Sequence, residues 1–158
     1  MLNLTIVAVG RLKEAWQREG VGEYLKRLEG FCRPSVAEID EYRLPDNPSA
    51  AQIQKGLEEE GKAVLRRVGG TPFAALCIEG KGMTSQELSL FLQEQQQRTG
   101  SLAFVIGGSH GLSPEVKDRA VLRLSLSPMT FPHQLFRVML CEQLYRACSI
   151  AAGGKYHK

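Results

Sequence analysis

Leu102-Ala103-Phe104-Val105-Ile106-Gly107-Gly108-Ser109-His110-Gly111-Leu112-Ser113-Pro114 is the stretch that decides the fold. Its first five residues are apolar, with Phe104, Val105 and Ile106 of the aromatic and β-branched types that favour strands, so Leu102 to Ile106 reads as a buried strand. Small and polar residues follow. Ser113 then supplies a capping oxygen and Pro114 a fixed φ at the first helical position, the signature of a helix start. A strand that runs through a glycine loop into a helix is the repeating unit of an α/β sheet.

The same alternation extends to both sides. Upstream, Leu2 to Val9 reads as a strand that ends at Gly10, and Trp16, Val21, Tyr24, Leu25 and Leu28 fall on one face of a helix. Val36 to Tyr42 reads as a second strand, with a loop from Arg43 to Pro48. Ser49 with Gln52 and Thr84 with Glu87 are capping boxes that open two further helices, the first ending at Gly69-Gly70. Phe73 to Ile78 is a third strand between them. Downstream, Val121 to Leu126 is a fifth strand, and a helix runs from about Gln134 to Ala151, closed by Gly153-Gly154. The expectation is an α/β fold with a mostly parallel sheet and one domain over residues 1–158, without repeats, linkers or low-complexity tracts.

Composition bounds the function. Of 158 residues, 43% are hydrophobic and 23% charged, which fits a folded soluble chain. No apolar run approaches the roughly 18 residues of a membrane span, and no basic segment precedes Leu2 as in a signal peptide, so we expect a cytoplasmic protein with no membrane partner. Cys32, Cys77, Cys141 and Cys148 have no C-x-x-C spacing and read as small buried hydrophobes; Cys141 and Cys148, seven residues apart, would lie about 10.5 Å apart along one helix. His110, His133 and His157 show no metal-ligand spacing, so no metal is expected. The net charge is only +3, but Lys117 to Lys158 holds seven basic residues against Asp118 and Glu142, a local +5 that suits an anionic partner such as RNA or, equally, a solvated basic face.

Ligands of open α/β sheets bind beyond the carboxyl ends of the strands, here the loops after Ile78, Ile106 and Leu126. Neither G-x-G-x-x-G nor a P-loop ending occurs, which argues against nucleotide phosphates. Gly107-Gly108-Ser109-His110-Gly111 does match the G-x-S-x-G elbow of serine hydrolases, with Asp118 and His133 in the right order. Against that alternative stand the short chain, a helix start four residues beyond the serine, and no HGGG-type segment upstream. On the last helix, Glu142 and Arg146 have ion-pair spacing, while Arg137 and Arg146 lie about 180° apart and cannot serve one local site.

Leu4 to Gly10, Phe104 to Leu112, Leu126-Ser127-Pro128-Met129-Thr130-Phe131-Pro132-His133, Glu142 to Ala147 and the Tyr156-His157-Lys158 end, in this order and spacing, resemble the ribosomal large-subunit methyltransferase H family across the whole chain. The resemblance implies a single-domain SPOUT α/β knot with a C-terminal trefoil knot, which periodicity does not predict. It implies methylation of N3 of a pseudouridine in 23S rRNA, within the assembled ribosome, by a homodimer that uses S-adenosyl-L-methionine. It also implies a cofactor pocket of Leu76, Gly107, Gly108, Leu126, Ser127, Pro128, Met129, Thr130 and Phe131, with Leu76, Leu126, Met129 and Phe131 as apolar walls. Of the C-terminal residues, His157 would accept the N3 proton, Arg146 would stabilise charge on the neighbouring carbonyls, and Tyr156 would stack on the base or orient the tail. A tail of this kind is otherwise a frayed end. A catalytically silent SPOUT-like module that binds rRNA or cofactor is the remaining alternative.

Overall fold

The computed structural model describes residues 1–158. The sheet grows outward from β1 (Asn3–Val9) and β4 (Ser101–Ile106), which pair along their length, Leu4 opposite Leu102 and Val7 opposite Val105. β2 (Arg33–Ile39) adds outside β1, and β3 (Phe73–Gly82) followed by β5 (Leu122–Ser125) add beyond β4, giving the order β2-β1-β4-β3-β5 with every pairing parallel. Parallel strands need crossover connections, and four helices supply them, α1 (Ala15–Leu28), α2 (Ala50–Val68), α3 (Ser85–Arg98) and α4 (Pro114–Arg119), while α5 (His133–Ala151) follows the last strand.

Alternation along the central strands sends side chains to two cores. Leu4, Ile6, Ala8, Leu102, Phe104 and Ile106 pack with Val21 and Leu28 of α1, Leu88 and Leu92 of α3, and Leu140, Leu144 and Ala147 of α5. Val7, Val9, Ala103 and Val105 face the other way, onto Val64 and Val68 of α2 and Val116 of α4. A sheet buried on both faces explains why the central strands read as unbroken apolar runs. Each fully buried Leu, Ile or Phe contributes roughly 1.5–3 kcal/mol.

Both capping boxes are present, with Ser49 Oγ accepting from Gln52 N–H and Thr84 Oγ1 from Glu87 N–H, and Ser113 caps α4 ahead of Pro114. Some expectations change. β2 begins at Arg33 and ends at Ile39, three residues earlier than Val36 to Tyr42, because an edge strand tolerates Pro34. β3 runs past Ile78 to Gly82, its ladder to β5 shifting register between Leu76 and Lys81. Trp16 stands 54% exposed at the start of α1, while Gln17 beside it is buried. Cys32 and Cys141 are buried, but Cys77 and Cys148 only partly so, and all four are free thiols. No helix is long and apolar enough to cross a membrane.

Candidate functional site

Parallel pairing brings the carboxyl ends of β3, β4 and β5 to one edge of the sheet, and the segments leaving them wall a cleft of about 550 Å³. That volume lies in the usual range for small-molecule and cofactor sites. Leu76, Gly107, Gly108, Leu126, Ser127, Thr130 and Phe131 line it. Pro128 and Met129 do not, and Met129 is 69% exposed, so the apolar walls come from Leu76, Leu126, Phe131, Ile106 and Ile78. No Asp, Glu, Lys or Arg side chain lines the cleft.

Local hydrogen bonds shape both segments at its rim. Gly111 N–H donates to Gly108 O at 3.1 Å, closing a turn with Ser109 and His110 at its corners. A Cβ on Gly107 would sit 2.3 Å from Gly111 O, so glycine is required where the two arms of the turn meet. On the opposite rim Ser125 Oγ donates to Ser127 O at 3.0 Å and Met129 N–H to Ser127 Oγ at 3.0 Å. Phe131 stacks edge-on against Phe136, fixing the segment to the first turn of α5. His133, left without a role by the sequence reading, opens α5 and lines the cleft. Burial lowers its pKa and nearby Arg137 adds to that, while Glu41 opposes both.

The C-terminal tail is docked rather than frayed. Tyr156 O–H donates to Glu142 Oε1 at 3.1 Å, its ring lies against Tyr145 with centroids 4.7 Å apart, and the Arg146 guanidinium covers its other side at 4.7 Å. Arg146 Nε also donates to Glu142 Oε1 at 3.0 Å, so the ion pair foreseen from spacing is half-buried and shared with the tail. Arg146 Nη1 lies 3.3 Å from His157 Nδ1, and the Gln86 side-chain amide lies 3.0 Å from His157 Nε2. Guanidinium donates only, so Nδ1 is assigned as acceptor and Nε2 as the protonated nitrogen, an assignment that turns the Gln86 amide end for end to present its oxygen. The neighbouring Tyr24 hydroxyl, burial and the bond to Glu142 push the Tyr156 phenol up to about 12, so it keeps its proton at neutral pH.

Cleft and tail do not meet within one chain. His133 and Arg146 are thirteen residues apart on α5, about 20 Å along its axis. A second cavity of about 510 Å³ lies between, sharing Ser125 and Leu126 with the cleft and lined on the far side by Glu142 and Gln143. Arg137 serves neither: it is buried, donating to Glu38 Oε2 at 2.7 Å and Gly10 O at 3.0 Å.

Two other expectations shift. Five of the seven basic residues from Lys117 to Lys158 are neutralised locally, Lys117 by Glu79, Arg119 by Glu115, Arg123 by Asp118, Arg137 by Glu38 and Arg146 by Glu142. The basic third of the sequence is therefore not a free basic face. The serine–acid–histidine set is not assembled either: Ser109 Oγ donates to Glu41 Oε1 at 3.0 Å, Asp118 is bound by Arg123 at 2.8 Å, and no non-glycine residue has the positive φ of a strained elbow.

The family model described as "Predicted SPOUT methyltransferase" matches residues 2–157. A relative from Carboxydothermus hydrogenoformans, named Ribosomal RNA large subunit methyltransferase H, is 45% identical over 99% of this chain and 100% of its own length. One of the same name from Pelotomaculum thermopropionicum is 47% identical over 99% of both chains. Among solved structures, the crystal structure of "Probable Methyltransferase from Bordetella pertussis Tohama I" superposes with a TM-score of 0.58 at 14% identity, covering 93% of this chain and 96% of that one, which is a likeness of fold.

Proposed function

Because this chain belongs to the SPOUT methyltransferase family, we propose that it methylates large-subunit ribosomal RNA with S-adenosyl-L-methionine, at N3 of a pseudouridine in 23S rRNA, in the cytoplasm and on the assembled ribosome. The observation that carries this reading is the uncharged cleft at the carboxyl ends of β3, β4 and β5, walled by the segments that the family resemblance assigns to the cofactor. Residues 1–158 act as one catalytic domain, and the family's C-terminal trefoil knot belongs to the same reading.

The cleft fits the cofactor chemically. Leu76, Leu126 and Phe131 give apolar walls for an adenosyl group, and Gly107 and Gly108, with no side chains between backbone and cleft, let a ligand approach the main chain closely. When bound, S-adenosylmethionine supplies an electrophilic sulfonium methyl group. The protein's residues place the acceptor and take its proton. In the docked tail Nδ1 of His157 is the bare ring nitrogen, covered by Arg146. Arg146, turned toward the carbonyl oxygens beside N3, stabilises the charge that develops there and uncovers Nδ1 to receive the N3 proton. Tyr156 remains protonated and orients the other two through Glu142.

No tail residue lines the cleft, and His133 and Arg146 stand about 20 Å apart along α5, which fits a homodimer in which the tail of one copy completes the cleft of the other. The ion-paired basic residues fit a substrate recognised as a ribosome, since few free charges remain for naked RNA.

The decisive experiment is methyl transfer from radiolabelled S-adenosylmethionine to ribosomes from a strain lacking this protein. Label in 23S rRNA, lost in Arg146→Ala and His157→Ala, is expected. Cofactor binding without label in any ribosomal fraction would overturn the enzymatic reading and favour a silent binder. Mixing Gly107→Val with His157→Ala tests the composite site: each is inactive alone, and random re-pairing restores about a quarter of wild-type activity if tails work in trans. No recovery would refute the shared site.

A further inference from the structure

Ser109, singled out in the sequence and left unused by the methyl-transfer reading, leads to a residue no motif marks. After β2 ends at Ile39, the chain passes over the end of β1 toward β4, an arrangement set by the order β2-β1-β4. Glu41 is the second residue of that crossing. Its Oε1 accepts from Ser109 Oγ–H at 3.0 Å and Ser109 N–H at 3.4 Å. The same carboxylate lies over Gly108, where an added Cβ would be 3.1 Å from Oε1, and Oε2 would be 3.8 Å from a Cβ on Gly10. A Cβ on Gly10 would also meet His133 Cε1 at 3.6 Å, so Glu41 and His133 approach the same point. Directly after Glu41, Tyr42 N–H donates to Glu60 Oε2 at 2.8 Å, tying the crossing segment to α2.

We infer that Glu41 is the positioning residue of the cofactor cleft, holding the Gly107–Gly111 turn in its binding form through both donors of Ser109. The inference rests on the reading of this cleft as the cofactor site and adds its control point. The turn carries three lining glycines, Gly107, Gly108 and Gly111, and has one internal hydrogen bond, Gly111 N–H to Gly108 O, so its own bonding constrains it little. A carboxylate that accepts an N–H and an O–H from one residue fixes both the position and the rotation of that residue, and charged acceptors make the stronger hydrogen bonds. Ser109 is then an anchor rather than a nucleophile, its hydroxyl proton engaged by Glu41.

Calorimetric titration with S-adenosylmethionine tests this on the full-length protein, with thermal melts to confirm folding. Glu41→Ala is expected to weaken binding about tenfold, and Ser109→Ala by a similar factor, the typical loss for a hydrogen bond to a charged group. The double variant should also lose about tenfold rather than a hundredfold, because both substitutions remove one interaction. Glu41→Gln, whose amide oxygen accepts the same two bonds, should bind within about threefold of wild type. Unchanged affinity in Glu41→Ala, losses that multiply in the double variant, or a Glu41→Gln variant as weak as Glu41→Ala would each overturn the positioning role. Failure of the wild-type protein to bind S-adenosylmethionine would instead refute the reading of the cleft.

Discussion

Gly107→Ala is the substitution whose cost follows most directly from the geometry. A Cβ there lies 2.3 Å from Gly111 O, 2.5 Å from Gly111 C and 3.0 Å from its Cα, about 1 Å closer than a carbon and an oxygen pack. The obstruction is backbone, so no side chain can swing away. Relief requires the turn to open, which strains the bond from Gly111 N–H to Gly108 O and shifts Ser109 from Glu41. Overpacking of this kind costs about 1–3 kcal/mol and a lost hydrogen bond about 1 more. The stiffer unfolded chain returns about 0.4–1 kcal/mol, leaving a net destabilisation of about 1–4 kcal/mol. At about 2–4 °C per kcal/mol for a chain of this size, Tm falls by about 2–16 °C. Circular dichroism melts measure it, with Gly70→Ala as control, since a Cβ there meets nothing within 4 Å. Calorimetry should show cofactor affinity falling with the turn. A Gly107→Ala protein that melts within 1 °C of wild type and binds S-adenosylmethionine equally well would refute the argument.

Arg137→Met leaves Glu38 and Gly10 O without their donor; Arg137's side chain is 3% exposed but Glu38's is 40%, so Glu38 regains water and the loss is about 2–3 kcal/mol rather than the 3–5 of a wholly buried pair. Urea unfolding with an unchanged midpoint would contradict this. Burial, joined by Glu41, raises the Glu60 carboxyl above its ordinary value, against the bond from Tyr42. The folded state thus prefers the protonated form, and stability is lost as pH rises through the folded pKa. Glu60→Gln should therefore melt higher than wild type at pH 7, with the gap closing below the carboxylate range; a gap that widens toward acid would reverse the assignment. Burial pushes the Cys141 thiol up to about 12, so at pH 8 a thiol reagent should label it only after unfolding, and mass spectrometry showing native labelling would refute that.

Local chemistry is what the sequence displays best. The capping boxes at Ser49 and Thr84 and the Ser113-Pro114 start were legible because each is a bond between residues three apart. Where partners are distant the signal vanishes. Arg33-Pro34-Ser35 looks like a turn until β1 is placed beside it, and Trp16 looks like core until its turn of α1 is seen to carry it into solvent. The cleft was foreseen in outline, since strand ends and glycines mark it, yet Met129 stands exposed in a loop whose path, bonded at Ser127, no periodicity describes. Glu41 and Gln86 lie 68 and 71 residues from the groups they hold, with no motif to announce them. The charge count failed for the same reason: Glu38 and Glu79 come from strands far upstream of the arginine and lysine they neutralise.

α5 joins the two halves of the machinery as a single rigid rod, with His133 at one end and the anchor of the tail near the other. Such a rod sets phase as well as length. One residue inserted between Phe136 and Glu142 would advance the tail by only 1.5 Å but turn it by about 100°, pointing Arg146 and His157 away from any cleft they serve. The register of this helix is therefore expected to tolerate exchange of side chains far better than a change in their number. The distance from cleft to tail is written in the count of residues, and their mutual aim in its remainder after whole turns.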